Sequence, residues 1–230
     1  MSTAIVWFRR DLRLADNPAL CAAVERHRHV LPVYIDDADA ESPWAPGGAS
    51  RWWQHHSLDS LQRDLQRLGA RLILRQGPSL EQLRQMIRHV GAGAVYWNRL
   101  YEPAFVARDK TIKESLREAG VEAESFNAAL LFEPWQLETG AGDPYRVFSP
   151  FWRNADARLQ TRLAAGASPL PTPDDLSLPE TCPDSRALAD LDLLPRIAWD
   201  DGFHRAWTPG EEGSHARLDA FAADAAAPYR

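Results

Sequence analysis

At 230 residues, with 45% hydrophobic and 25% charged side chains, the chain has enough apolar material for one large domain, or one ordinary domain with an appendage. A formal net charge of −6 removes the simplest argument for a nucleic-acid footprint, so any DNA contact must come from a local patch or from further sequence. Two cysteines, Cys21 and Cys182, are too few for a disulfide framework or a metal cluster; with no signal-peptide pattern and no run near the ~20 apolar residues of a membrane span, the expectation is a cytoplasmic chain with structural thiols.

In chain order, residues 4–8 (AIVWF) read as a strand buried on both faces. Asn17 and Pro18 follow as cap and first residue of a helix whose inward stripe is Leu20, Ala23 and Val24. Residues 30–35 (VLPVYI) give a second strand, weakened by Pro32, which cannot donate to a ladder. Leu58, Leu61, Leu65 and Leu68 recur at helical spacing and Gly69 closes that helix. A third strand is expected at 71–74. A helix then opens on Ser79 and Gln82 as a capping box, with Leu80, Leu83, Ile87 and Val90 inward. Residues 94–97 (AVYW) form strand four, Pro103 opens a helix carrying Val106, Ile112 and Leu116, and 121–126 is strand five. Strands alternating with helices predict a doubly wound, mostly parallel five-stranded Rossmann-like sheet with helices on both faces.

After Gly140 the pattern changes. One more helix fits 145–166, and 166–209 holds seven of the 17 prolines with little periodicity, as a connector crossing a surface does. A last helix begins near 210, with Ala216, Leu218, Phe221 and Ala225 as its apolar members. The division expected is therefore 1–165 for the α/β domain, 166–209 for the linker, and 210–230 for the start of a second domain. A long linker leading to one helix implies that the coding sequence continues.

Ligands of open α/β sheets bind beyond the carboxyl ends of the strands, near the point where strand order reverses. This directs attention to Arg9, Arg10 and Asp11 after strand one and to Asn98, Arg99, Tyr101 and Glu102 after strand four. Arginines at such a rim hold anions in a bidentate way, or pair with Asp11, Asp16 or Glu102 to organise loops. Residues 6–20, VWFRRDLRLADNPAL, turn from strand to helix without a glycine, unlike a phosphate-cradling loop. His55 and His56 are adjacent, point about 100° apart on a helix and cannot share a metal; Asp36, Asp37 and Asp39 are commonplace acidic loop residues, and no metal is assigned. No Walker loop, nucleophile elbow or His-carboxylate motif appears, so no catalytic residue is named. Most of the nine tryptophans, Trp7, Trp52, Trp53 and Trp97 among them, sit where core packing explains them.

Taken together, VWFRRDLRLADNPAL, ASRWWQHHSLDSLQRDLQRLGARLILRQG, VYWNRLYEPAFVARD and PYRVFSPFWR resemble, in order and spacing, the DNA photolyases and cryptochromes. The resemblance implies an α/β domain that binds a light-harvesting antenna chromophore, joined to a helical domain that binds FAD. In the family, the excited reduced flavin donates an electron to a cyclobutane pyrimidine dimer flipped out of damaged DNA, the ring splits and the electron returns. By resemblance Tyr229 maps to the FAD pocket, and Arg10, Arg51 and Glu102 to an antenna pocket of the deazaflavin or flavin type. The folate-type pattern expects an Asn-Glu pair where Ala104 and Phe105 stand, which disfavours folate. The family's phosphate-binding stretch, tryptophan chain and basic DNA groove lie beyond these residues. The polypeptide by itself is therefore expected neither to repair DNA nor to hold stoichiometric FAD. A cryptochrome-type photoreceptor and a stand-alone small-molecule-binding module are the rival readings. Sequence past Arg230 and a lesion-repair assay discriminate them.

Overall fold

The computed structural model describes residues 2–37 and 45–226. Its centre is an all-parallel sheet of β1 (Thr3–Phe8), β2 (His29–Asp36), β3 (Ile73–Gln76), β4 (Ala94–Asn98) and β5 (Glu122–Phe126), in the order β3-β2-β1-β4-β5. The apolar runs are continuous because both faces are covered. Ala4, Val6 and Phe8 enter one core with Leu20 and Ala23 of α1 (Pro18–Arg26) and Leu58, Leu61 and Leu65 of α2 (Gly48–Arg67). Ile5 and Trp7 enter the other, with Leu83 and Met86 of α3 (Ser79–Val90) and Ile112 and Leu116 of α4 (Pro103–Glu118). The two-residue period of a strand thus sorts alternate side chains to opposite layers, each full burial stabilising by roughly 1.5–3 kcal/mol.

Several local expectations shift. Strand three starts two residues later than 71–74. Pro32 is accommodated because it pairs in register with Val6 and precedes the β2–β3 ladder, which begins at Val33. The capping box at Ser79 does not form, since Pro78 takes the cap position. Instead the Asp37 carboxylate reaches across from the end of β2 and accepts from the Ser79 N–H at 2.8 Å and from its hydroxyl. A carboxylate at a helix N-terminus satisfies orphan N–H groups and opposes the dipole. On α4 the inward stripe is Phe105, Asp109, Ile112 and Leu116, whereas Val106 faces out.

The connector contributes to the core more than its composition implies. Leu176, Leu191 and Leu193 are buried in the α1–α2 layer. Its backbone is fixed where Val30 N–H donates to Ser177 O at 2.8 Å and Leu176 N–H to Leu68 O at 3.2 Å. Arg186 N–H donates to Leu74 O at 3.0 Å while the Ser185 hydroxyl accepts from Leu74 N–H at 2.9 Å, which covers part of the β3 edge. Prolines hide this role from periodicity, because leucines in an irregular segment follow no fixed period.

Beyond the sheet lie α5 (Phe148–Ala164), a short α6 (Phe203–Ala206) and α7 (Glu211–Ala220), with a π-helical turn at Phe221–Ala225. In α5 only Ala155 is buried, and in α7 only Gly213. The α7 N-terminus is nonetheless tied down: the Glu211 carboxylate accepts from the N–H groups of Leu14 and Ala15 at 2.7 and 2.9 Å. Gly210 before it has φ +105°, and a Cβ there would lie 2.4 Å from Ser60 Oγ, so the close approach requires glycine. Among the described residues no helix is long and apolar enough to cross a membrane.

Candidate functional site

The glycine-free turn after β1 is built from side chains. Asp11 accepts from Arg9 N–H at 3.0 Å, and Arg13 donates to the carbonyls of Ala15, Asp16 and Ala128. Asn17 caps α1 through Leu20 N–H at 3.1 Å. Asn98, at the end of β4, donates to Asp11 at 2.6 Å and to Asn17 at 2.8 Å, and accepts from Ala19 N–H at 3.2 Å. Strand order reverses between the parallel strands β1 and β4, and this network fills the space between those two strand ends. A fully satisfied polar network of this kind rigidifies the rim.

The adjacent arginines have opposite surroundings. Arg9 is buried, donates to Asp109 at 2.6 Å and to Asn98 O, and stacks its guanidinium 5.0 Å from the Trp7 ring centroid. Burial presses its pKa below the ordinary value, opposed chiefly by Asp109. Arg10 is half exposed, pairs with Glu102 and lies 4.9 Å over Phe105. Burial raises the Glu102 carboxyl, but backbone N–H bonds and Arg10 outweigh it and hold the carboxyl below its usual range.

Beside the polar network, over the carboxyl ends of β1, β2 and β3, opens a cavity of about 1310 Å³. Arg10 and Arg51 both line it, together with Arg108, Asp36, Asp37, Trp53 and Phe105. Glu102 stands behind Arg10 rather than on the lining. Arg51 also donates to the carbonyl of Asp192, tying α2 to the connector. Arg10 and Arg51 thus face the cavity while each also ties loops together. Arg108 lies 4.9 Å over Trp7 and 4.8 Å over Phe105, and donates to Asp109 at 2.9 Å. Burial pushes the Asp36 carboxyl up, with Gln76 and Arg51 opposing. The Nε1 of Trp7 and Nε of Arg9, both residues of the lining, are buried without a hydrogen-bond partner.

The remaining wall comes from the connector. Phe203 and Trp207 line the cavity, and the stretch that carries them rests on α2. Phe203 meets Trp52 edge-on at 5.0 Å; His204 lies 4.9 Å from Trp52 and 4.7 Å from His56. Burial lowers the pKa of both His55 and His56, and for His56 the neighbouring His55 and His204 lower it further. The two histidines therefore belong to a packed aromatic seat. Among the described residues no group of three or more His, Cys, Asp or Glu side chains is placed to hold a metal ion. Asp36 and Asp37 line the cavity, while Asp39 and Tyr229 lie outside the described residues. Cys21 sits with its thiol pKa raised, by burial first and then by Asp16, away from reactive thiolate character.

Sequence reasoning missed Phe105, Arg108, Trp53, Phe203 and Trp207 as cavity residues. Trp53, expected in the core, is 39% exposed. A trace of this was available, because two adjacent tryptophans on one helix cannot both face the sheet. Nothing local marks Phe203 or Trp207.

A DNA photolyase family profile matches residues 4–174. The deoxyribodipyrimidine photo-lyase of Agrobacterium fabrum is 44% identical over 218 residues, covering 94% of this chain and 44% of that protein. Cryptochrome-2 of Arabidopsis thaliana is 42% identical over 150 residues, or 65% of this chain and 24% of that protein. A crystal structure of a class III photolyase from Agrobacterium tumefaciens superposes with a TM-score of 0.85 at 42% identity, covering 96% of this chain and 44% of that one. The chain spans less than half the length of these relatives.

Proposed function

The chain belongs to the DNA photolyase family, and from that premise we propose that it is the antenna-binding α/β portion of a deoxyribodipyrimidine photolyase, a light-driven flavoenzyme that splits cyclobutane pyrimidine dimers in DNA. The observation that carries this reading is the cavity at the carboxyl edge of the sheet, large enough for a drug-sized polycyclic ligand and lined by arginines and aromatic rings. Its donor set fits such a ligand. Arg10, Arg51 and Arg108 suit an anionic group, and the partnerless Trp7 and Arg9 N–H groups mark a buried floor rich in donors. When bound, the chromophore would supply light absorption; the residues here would orient it and exclude water around its rings.

In the deazaflavin or flavin reading, Arg10 and Arg51 hold the anionic end of the ligand and Glu102 fixes the Arg10 guanidinium. FAD and damaged DNA would be bound by the helical domain, to which Tyr229 belongs by resemblance. Titration of the purified chain with flavin mononucleotide, a deazaflavin and a reduced folate, followed by fluorescence quenching, tests the site. A flavin or deazaflavin should bind more tightly than the folate. Arg51→Ala should weaken it about tenfold or more, as loss of a charge-assisted bond implies. A preference for folate would replace the chromophore type, and binding of none of the three would remove the antenna reading. Stoichiometric FAD on this chain would show a flavin site within it.

Similarity to cryptochrome-2 supports a second reading, a blue-light photoreceptor built on the same α/β domain. A dimer-repair assay on a protein that carries both domains decides between them: light-dependent repair supports the photolyase and its absence supports the photoreceptor.

A further inference from the structure

We propose that the outer edge of β5 is a strand-pairing surface for a second copy of this chain, held shut by Arg117 and Arg99. β5 is the last strand of the sheet and pairs on one side only, with β4. Glu122 N–H donates to Gly93 O at 2.9 Å and Phe126 O accepts from Arg99 N–H at 2.8 Å, so the even-numbered residues direct their backbone groups at β4. Backbone groups alternate sides along a strand, and those of Ala123 and Ser125 therefore point away from the sheet. Such an edge row is a template for another strand.

Guanidinium groups occupy that row. Arg117, from the last turn of α4, donates to Ala123 O at 3.0 Å, and Arg99, just after β4, donates to Ser125 O. Arg99 Nε and Lys113 Nζ also donate to the Ser125 hydroxyl, at 3.1 and 2.7 Å. These cations crowd one another: burial first, then Arg99 and Arg117, lowers the Lys113 pKa, with Asp109 and Glu124 opposing. Arg99 is itself fixed by the buried Glu133 carboxylate, whereas Arg117 is exposed, so Arg117 is the half of the cover that can swing away. At the other edge of the sheet the connector's main chain bonds Leu74 of β3, and no such swing uncovers it. A second copy is the matching occupant because the β5 edge is self-complementary. Two β5 strands set antiparallel about Glu124 bring Ala123 of each copy opposite Ser125 of the other, N–H to carbonyl, as a two-fold contact requires. The same register sets Glu124 opposite Glu124, a like-charge pair that adds to the closure.

The test follows the 230-residue chain by sedimentation velocity over a concentration series, beside Arg117→Ala and the double variant Arg117→Ala/Glu124→Thr. Removing Arg117 uncovers a carbonyl on both copies and is expected to raise the self-association constant about tenfold or more over the unmodified chain. Glu124→Thr replaces the opposed charges by a favourable threonine pair and is expected to raise it further. Arg117→Lys, which keeps the charge and a donor, is expected to stay within about threefold of the unmodified chain. Arg117 is exposed and Glu124 only half-buried, so the fold should survive these changes, and circular dichroism checks this. Amide hydrogen exchange locates the contact. The outward N–H groups of Ala123 and Ser125 should gain protection with concentration in both alanine-bearing variants and not in the unmodified chain. Equal association constants in the unmodified chain and both variants overturn the proposal. Association without protection at Ala123 and Ser125 also overturns it, because another face would be the source. Protection of those two amides in the unmodified chain as concentration rises would show an edge already open, and overturns the closure by Arg117.

Discussion

The α/β layer and the segment that follows it use apolar residues in opposite ways. From Thr3 to Phe126 the strands and four helices bury their stripes in two continuous cores, one on each face of the sheet. From Phe148 onward the helices are nearly all surface: Phe148, Trp152 and Leu163 of α5 and Leu218 of α7 are exposed, as is Phe221 just after it. That second region is held by a few anchors, namely the connector leucines, the Trp52 seat and the Glu211 carboxylate. Secondary structure is thus shared by both regions, while burial is not. Order in the second region depends on single contacts, each of which can be removed.

The sharpest break in the first region should come from Asp109→Ala. Removing the partner of a buried guanidinium costs about 3–5 kcal/mol, because Arg9 is left buried and uncompensated. Denaturant unfolding should show a global fall of that size; a loss below ~1 kcal/mol would mean that Arg9 finds other partners. In the second region, Glu211→Ala removes the acceptor of two backbone N–H groups and is expected to cost roughly 1.5–3 kcal/mol, felt locally. Hydrogen exchange should quicken across Glu211–Ala220 while β4 stays protected. Equal quickening in both would erase the contrast between the regions.

A pH titration probes the junction between them. His55 and His56 both have pKa values lowered from 6.5, first by burial, with Asp59 opposing in each case and Asp200 also opposing at His56. The folded state therefore binds fewer protons than the unfolded state. Stability from the seat is present above pH 6.5 and is lost as pH falls below it through the folded values. Trp52 and Trp53 fluorescence and connector exchange should report loosening in that window, and replacing both histidines by glutamine should flatten the response. The smallest effect belongs to Arg10→Ala. Arg10 and Glu102 are 51% and 48% exposed, so their ion pair contributes about 0.2–1 kcal/mol and the melting point should barely move. A large destabilisation would make Arg10 a structural residue instead of a cavity residue.

Much of the first region was legible in the sequence. Short apolar runs located all five strands and helical apolar periods the four helices packed on them, since burial on both faces of a sheet, or on one face of a helix, imposes a pattern that local reading detects. The misplacements were local and had tertiary causes. The Ser79 cap lost to Asp37, a residue 42 positions earlier that only the parallel sheet brings near. Val106 faces outward because Phe105 is drawn under Arg10 and Arg108. In the site, Arg10 could be singled out because charged residues follow a predicted strand end, and Arg51, inside α2, only through the family resemblance; Arg108 and Trp53 also sit within helices, where these residue types read as surface and core.

By itself the sequence determined the α/β class, the alternation of elements, the capped turn at Asn17 and Pro18, and the absence of any glycine-rich phosphate loop, because each of these is written in neighbouring residues. Only the tertiary structure decided that Arg9 is sequestered while Arg10 faces the cavity, since the two differ in surroundings and not in kind. It also decided that a proline-rich connector places leucines in the core and brings Phe203 and Trp207 to the rim. Those contacts join positions more than a hundred residues apart, and no local period encodes a meeting that depends on how the whole sheet is wound.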